Sequence, residues 1–281
     1  MEFVRRWIEK SPYSAALGVQ LESLTEGAAR LRLPFAEPNT NPGGVLHGGC
    51  AASLASIGAH AVTRATLGEA SGPWISPGLQ VNYLAAAQQQ DVIAEARLLR
   101  RGKTICFVEV DVATQDGNSI AHATAVTRAR FGEDPPALPI SAGDDGAADP
   151  GAMGPHLGRV PFIGKRGIVA EHMTGGTSRL VMPFIDDNAD ESGGVHEGAL
   201  LALLDTTGAM ASWARTGHGA YKASTPSIQT QILAPGPKQD LVAYGRNVQR
   251  DGEILWSDVE IASAVDARVY ARGTVIYRIL T

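Results

Sequence analysis

The stretch Asn41-Pro42-Gly43-Gly44-Val45-Leu46-His47-Gly48-Gly49-Cys50-Ala51-Ala52-Ser53-Leu54-Ala55-Ser56 returns 149 positions later as Asp190-Glu191-Ser192-Gly193-Gly194-Val195-His196-Glu197-Gly198-Ala199-Leu200-Leu201-Ala202-Leu203-Leu204-Asp205. Each copy is a glycine-rich loop running into an apolar segment, the pattern of a loop that opens a buried helix. Gly44, His47 and Gly49 recur as Gly193, His196 and Gly198. The copies part at Asn41 against Asp190, Gly48 against Glu197, and Ser56 against Asp205.

The same offset holds through most of both halves. Gly18, Glu22, Pro34-Phe35 and Asn39 recur as Gly167, Glu171, Pro183-Phe184 and Asn188, and Pro77, Gln80, Asp91, Arg97 and Arg101 as Pro226, Gln229, Asp240, Arg246 and Arg250. A repeat of this length is a domain rather than a solenoid unit. Residues 1–131 and 159–281 are read as two such domains, expected to pack as a single-chain version of a twofold pair. Between them, residues 132–158 are rich in Gly, Ala, Pro and Asp, including Asp134-Pro135-Pro136 and Gly143-Asp144-Asp145-Gly146. No periodic apolar pattern runs through them, so they read as an extended, mobile linker.

Within a copy the chain alternates from Gly27 to Phe35 as a strand would, and Pro34 and Pro38 end it. Residues Cys50–Leu67 and Ala199–Thr216 predict helices stopped by Gly68 and Gly217. Both are almost free of charge on every face, so both should be buried all round. Strands follow at 79–84, 91–100, 104–114 and 120–131, and at 228–233, 240–249, 254–263 and 268–280; Asp116-Gly117 signals a hairpin. One strand, one buried helix and an antiparallel meander make an α+β pattern, satisfied by a curved sheet wrapped around a single helix.

Composition narrows the function. A net charge of −5 and a pI near 5.8 argue against nucleic-acid binding. No apolar run reaches the length of a membrane span, and Met1 to Lys10 lacks the apolar core of a signal peptide. Cys50 and Cys106, without CxxC or Cys/His spacing, read as reduced core residues of a cytoplasmic protein. His60 and His122 lack partners at ligand spacing, and Trp74 and Trp213 read as core or interface residues.

The Asn-bearing loop, the Gly-Gly-x-x-His-Gly-Gly run opening a helix, and an acid nine residues past the His resemble the hotdog-fold acyl-CoA thioesterases of the phenylacetate-pathway, PaaI-like group. Ser76-Pro77-Gly78-Leu79-Gln80-Val81-Asn82-Tyr83-Leu84 and Arg100-Arg101-Gly102-Lys103-Thr104 support the likeness. It covers each half nearly completely, so it implies a double hotdog. In such a family the helix N-terminus binds the thioester carbonyl, and an acid two turns along the facing helix is general base on water or nucleophile. Free N–H groups and the positive end of a helix favour an oxygen gaining charge, and glycine lets substrate approach the backbone.

Residue by residue, the resemblance assigns Asn41, His47 and Gly48 to the carbonyl loop of the first copy, and Asp205 and Thr225 to the acid and its supporting hydroxyl in the second. Together they would form one composite site. The opposite set, Ser56, Ser76, Asp190, His196 and Glu197, lacks the helix acid and is expected to be inactive or structural. Arg100, Arg101 and Lys103, with Arg97, Arg246 and Arg250, are candidates for meeting coenzyme A phosphates, against a reading as solvated turn charges. The expected activity is hydrolysis of an acyl-CoA thioester without metal or redox cofactor, by a homo-oligomer of double-hotdog chains. Two other readings stay open: an acyl-CoA-binding or assembly protein without catalysis, and an enoyl-CoA hydratase, which would need a His beside the acid.

Overall fold

The computed structural model describes residues 1–144 and 146–281, so Asp145 of the linker lies outside the described residues. The first half runs α1 (Glu2–Lys10), α2 (Pro12–Leu17), β1 (Gln20–Leu24), β2 (Ala28–Leu33), the short β3 (Thr40–Asn41) and β4 (Val45–Leu46), α3 (Gly48–Leu67), β5 (Trp74–Tyr83), β6 (Val92–Arg101), β7 (Ile105–Thr114) and β8 (Ser119–Ala129). The second half runs α4 (Pro161–Lys165), β9 (Val169–Thr174), β10 (Thr177–Met182), α5 (Glu197–Thr216), β11 (Lys222–Ile232), β12 (Leu241–Asp251), β13 (Ile254–Ser263) and β14 (Val269–Leu280). A 3₁₀ turn at Gly154–Arg159 stands where the first half has α1.

All the long strands join one antiparallel sheet of 12, ordered β1-β2-β6-β7-β8-β5-β11-β14-β13-β12-β10-β9. The halves meet at β5 and β11, where Gln80 pairs with its own repeat equivalent Gln229, Leu79 with Thr230 and Val81 with Ile228. A residue opposite its own equivalent marks a twofold axis, so the two halves form an isologous pair inside one chain. The fold is a double hotdog, α+β: the repeat pattern implied the pair of domains and the family resemblance the hotdog. The linker is more closely held than its composition suggests. Ser141 N–H donates to the Ala267 carbonyl, Val269 N–H to Pro139, and Met173 N–H to Asp149.

Every residue of α3 from Gly49 to Thr63, and of α5 from Gly198 to Trp213, is buried. The sheet covers their outer faces, and each fully buried Leu or Ile contributes roughly 1.5–3 kcal/mol. Their inner faces meet each other near their N-termini. A side-chain carbon on Gly49 would lie 3.0 Å from Ala202 Cβ, and one on Gly198 would lie 3.0 Å from Ser53 Cβ. These two contacts are repeat equivalents, so the helices cross on the twofold axis.

Two expectations are corrected. Both helices begin two residues earlier than their apolar runs, at Gly48 and Glu197, because the histidines act as caps: His47 Nδ1 accepts from Gly49 N–H and His196 Nδ1 from Gly198 N–H, each at 2.9 Å. The edge strands β1 and β9 were not foreseen. Each buries a single residue, Leu21 or Met173, so neither shows a full alternation.

Replacing Gly49 by Val should loosen both halves at once. The new carbon would also lie 2.9 Å from Phe162. Overpacking of this kind costs roughly 1–3 kcal/mol, measurable as a lower midpoint in chemical denaturation with an unchanged slope.

Candidate active site

The crossing places the N-terminus of each long helix against the body of the other. Gly49 touches Ala202, and Asp205 lies one turn further along that face of α5, so the Asp205 carboxylate faces Gly48. A side-chain carbon on Gly48 would sit 2.9 Å from Asp205 Oδ2. Thr225, at the start of β11, donates its hydroxyl to Asp205 Oδ1 at 2.8 Å. Tyr83, at the end of β5, donates its hydroxyl to the Gly48 carbonyl at 3.2 Å. The Gly48 N–H, in the first turn of α3, makes no hydrogen bond among the described residues.

Asp205 is 4% exposed. Burial raises its pKa to about 6, against the opposing pull of the Thr225 hydroxyl. Burial, with the Asp205 charge adding to it, also raises the Tyr83 phenol well above its ordinary value, so that group stays a donor. His47 is held down to about 4 by burial and is neutral. Its Nδ1 accepts a hydrogen bond, so its proton sits on Nε2. Its ring stacks on Phe162 from the other half, centroids 4.5 Å apart. His47 thus braces the loop as a positioning residue.

Three of the five residues expected at the composite site are therefore assembled with the cap that orients them: Gly48, Asp205 and Thr225, with His47 behind the loop. Asn41 lies on β3 before the loop, where it pairs with Val45, and its side chain makes no hydrogen bond to Asp205 or Thr225. Arg100, Arg101 and Lys103 are exposed on the β6–β7 hairpin, with no ion pair or hydrogen bond from their side chains among the described residues. Tyr83 was not foreseen. It stands opposite Ile232 in the other copy, so a position-by-position comparison of the repeats would have flagged it.

The opposite site is occupied differently. Glu197, in place of a glycine, sends its carboxylate to where the missing helix acid would lie. Ser56 Oγ donates to Glu197 Oε1 at 2.7 Å, Ser76 N–H to Oε2 at 3.1 Å, and His60 Nε2 lies 3.1 Å from Oε2 and 3.2 Å from Ser76 Oγ. Burial alone would raise this acid, but His60 and the donors from Ser56 and Ser76 outweigh it and hold Glu197 at about 2. His196 mirrors His47, with Tyr13 stacked on it at 4.8 Å. Asp190 accepts from Trp7 Nε1 at 2.9 Å. His60, which lacks partners at metal-ligand spacing, takes part in this hydrogen-bonded cluster. Its equivalent is Ala209, which again was visible by comparing copies. A cavity of about 610 Å³ opens on this second cluster, whereas neither it nor the larger one of about 1080 Å³ at the β5–β11 seam includes Asp205.

The buried carboxylate of Asp205 carries a stability signature. Its folded pKa lies above the unfolded value, so ionisation destabilises the fold above about pH 6, and the cost disappears as pH falls through the unfolded value near 3.8. Asp205→Asn should therefore be the more stable protein above pH 7, by roughly 2–3 kcal/mol. The two should converge below about pH 4, as read from thermal melts across pH.

Known proteins carry the same architecture. The profile of a domain family described as a domain of unknown function, DUF4442, matches residues 2–128. A Halobacterium salinarum protein named as a candidate esterase is 31% identical over 131 residues, 45% of this chain and 86% of that protein. Human acyl-coenzyme A thioesterase 13 is 28% identical over 117 residues, 41% of this chain and 81% of that protein. Over the whole length, the structure of a tesB protein from Mycobacterium avium subsp. paratuberculosis superposes with a TM-score of 0.70 at 12% identity, covering 96% of this chain and 100% of that one. At 31% identity over 86% of its length, the Halobacterium protein places this chain in that esterase's family, and the structural match over both repeats shows the double hotdog fold.

Proposed function

We propose that the chain hydrolyses an acyl-CoA thioester to the free acid and coenzyme A at the single site formed by Gly48 and Asp205. The observation that carries this reading is the Asp205 carboxylate of one repeat set against the open helix N-terminus of the other. The thioester oxygen would accept the Gly48 N–H, where the dipole of a 20-residue helix favours the charge of the tetrahedral intermediate. Thr225 holds one carboxylate oxygen, which leaves Oδ2 to take a proton from water. A base near pKa 6 is ionised at neutral pH yet still basic enough for that transfer. The proton then passes to the departing thiolate, so water and thioester become acid and thiol without a cofactor.

The loop and acid spacing favour the PaaI-like group. Arg100, Arg101 and Lys103 form an exposed cationic hairpin suited to phosphate, and Asn41 stands on the strand that leads into the carbonyl loop. Two buried free thiols suit a cytoplasmic protein. Leu99 and Phe107, exposed beside the seam cavity, offer a surface for homo-oligomer formation.

Free-thiol release from a panel of acyl-CoAs tests the reaction. Asp205→Asn should lower kcat by a factor of roughly 10²–10⁴, and undiminished turnover would sink the assignment. A single turnover in ¹⁸O-water should label the released acid and leave Asp205 unlabelled; label in Asp205 would show that it attacks the thioester directly.

A further inference from the structure

The cavity at the second inter-repeat cluster contains one charged group that the protein does not satisfy. Arg6 pairs with Glu69 at 3.0 Å and with Glu191 at 3.6 Å. Asp190 accepts from Trp7, Ser11 and Ser192. Glu197 is held by Ser56, His60 and Ser76. The remaining ion on the cavity wall is Arg64, near the C-terminal end of α3. Its guanidinium carbon lies 3.7 Å from the Trp7 ring centroid and 4.1 Å from that of Trp74. Its Nε is buried without an acceptor, and its side chain forms no ion pair or hydrogen bond among the described residues. Indole contacts satisfy the flat face of a guanidinium and leave its N–H edge for a planar acceptor.

This arrangement belongs to one site only. The repeat equivalent of Arg64 is Trp213, which stacks on Tyr221 at 6.1 Å and donates to Tyr277 at 3.1 Å. Tyr83, which donates to the Gly48 carbonyl in the Asp205 site, corresponds to Ile232 here, and that smaller residue lines the cavity. Trp7 and Trp74, the two rings around Arg64, correspond to His156 and Ala223, so the stacked cation is built in this copy alone. Proton transfer is not served: both Glu197 oxygens are already hydrogen-bonded, and His60 Nδ1 is buried without a partner.

We propose that this cavity is a binding site for an organic monocarboxylate, its carboxylate held by the N–H edge of Arg64 and its apolar chain lying against Phe3, Phe131, Leu200 and Ile232. A volume of about 610 Å³ is that of a small-molecule pocket. Asp190, Glu191 and Glu197 already oppose the charge of Arg64 through space, so the cavity disfavours a phosphate dianion, and what Arg64 offers a monocarboxylate is its hydrogen-bonding edge rather than a surplus of charge. Thioester hydrolysis releases a ligand of this class, and that link alone rests on the reading given above; the binding itself does not.

Calorimetric titration of the whole chain with octanoate tests the site. Wild type should bind one octanoate saturably, and octan-1-ol should not compete. Arg64→Met should weaken binding roughly tenfold or more. Ala70→Trp, at an exposed position on the cavity wall, should also weaken it while leaving the Arg64 stack intact, and this variant decides the matter if Arg64→Met does not fold. Asp205→Asn should bind octanoate as wild type does, which separates this cavity from the hydrolytic site even if that site proves inactive. No binding to wild type, equal binding by folded Arg64→Met, loss of binding in Asp205→Asn, or displacement by equimolar inorganic phosphate would each overturn the proposal.

Discussion

The approach of α3 to α5 at two glycines is the constraint on which both sites depend. Gly49 admits Ala202, and Gly198 admits Ser53. Once that contact is made, helical spacing does the rest. The residue before each glycine is the first of its helix, and the residue three beyond each contact lies one turn along the same face. Gly48 therefore meets Asp205, and Glu197 meets Ser56. Tyr13 and Phe162, themselves repeat equivalents, cross between halves to stack on the capping histidines and fix the loops at this crossing.

Two carboxylates end up in equivalent places with opposite electrostatics. Asp205 comes from the helix body, has one hydroxyl donor and stays easy to protonate. Glu197 comes from the helix start, has donors on both oxygens and stays ionised. Burial pushes both acids the same way, so their partners alone separate them. A poorly solvated carboxylate is suited to moving a proton, and a well-solvated one to holding a structure together.

The offset of 149 and the charge-free helices were enough to read two α+β repeats, each a curved sheet around a buried helix, because burial on every face leaves a strong compositional trace; the double hotdog itself came from the family resemblance. The edge strands left little trace, since one buried residue makes no period. Gly48, Asp205 and Thr225 were legible as a set through the family resemblance, whose loop, acid and hydroxyl positions they match. Tyr83, His60 and Arg64 were not, because tyrosine, histidine and arginine at those positions have ordinary uses and no motif demands them. Their meaning comes from contact across the repeat interface, which sequence spacing within one repeat does not encode. The repeat itself holds a usable signal: each of the three stands opposite a residue of different character, Ile232, Ala209 and Trp213.

Fusion of the two domains into one chain is what permits this asymmetry. In a dimer of identical chains every substitution appears at both sites. A glutamate at the loop position would then face the helix acid, and the geometry forbids that pair. The first carbon of any side chain at position 48 would already lie 2.9 Å from Asp205 Oδ2. Two carboxylates forced that close would share a proton or push the helices apart. In the single chain, Glu197 faces Ser56 and Asp205 faces Gly48, so each acid has one site to itself. The loss of the acid at Ser56 and the gain of one at Glu197 are then a single coupled change: either alone would leave a buried hydroxyl and histidine without their acceptor, or two acids in one place.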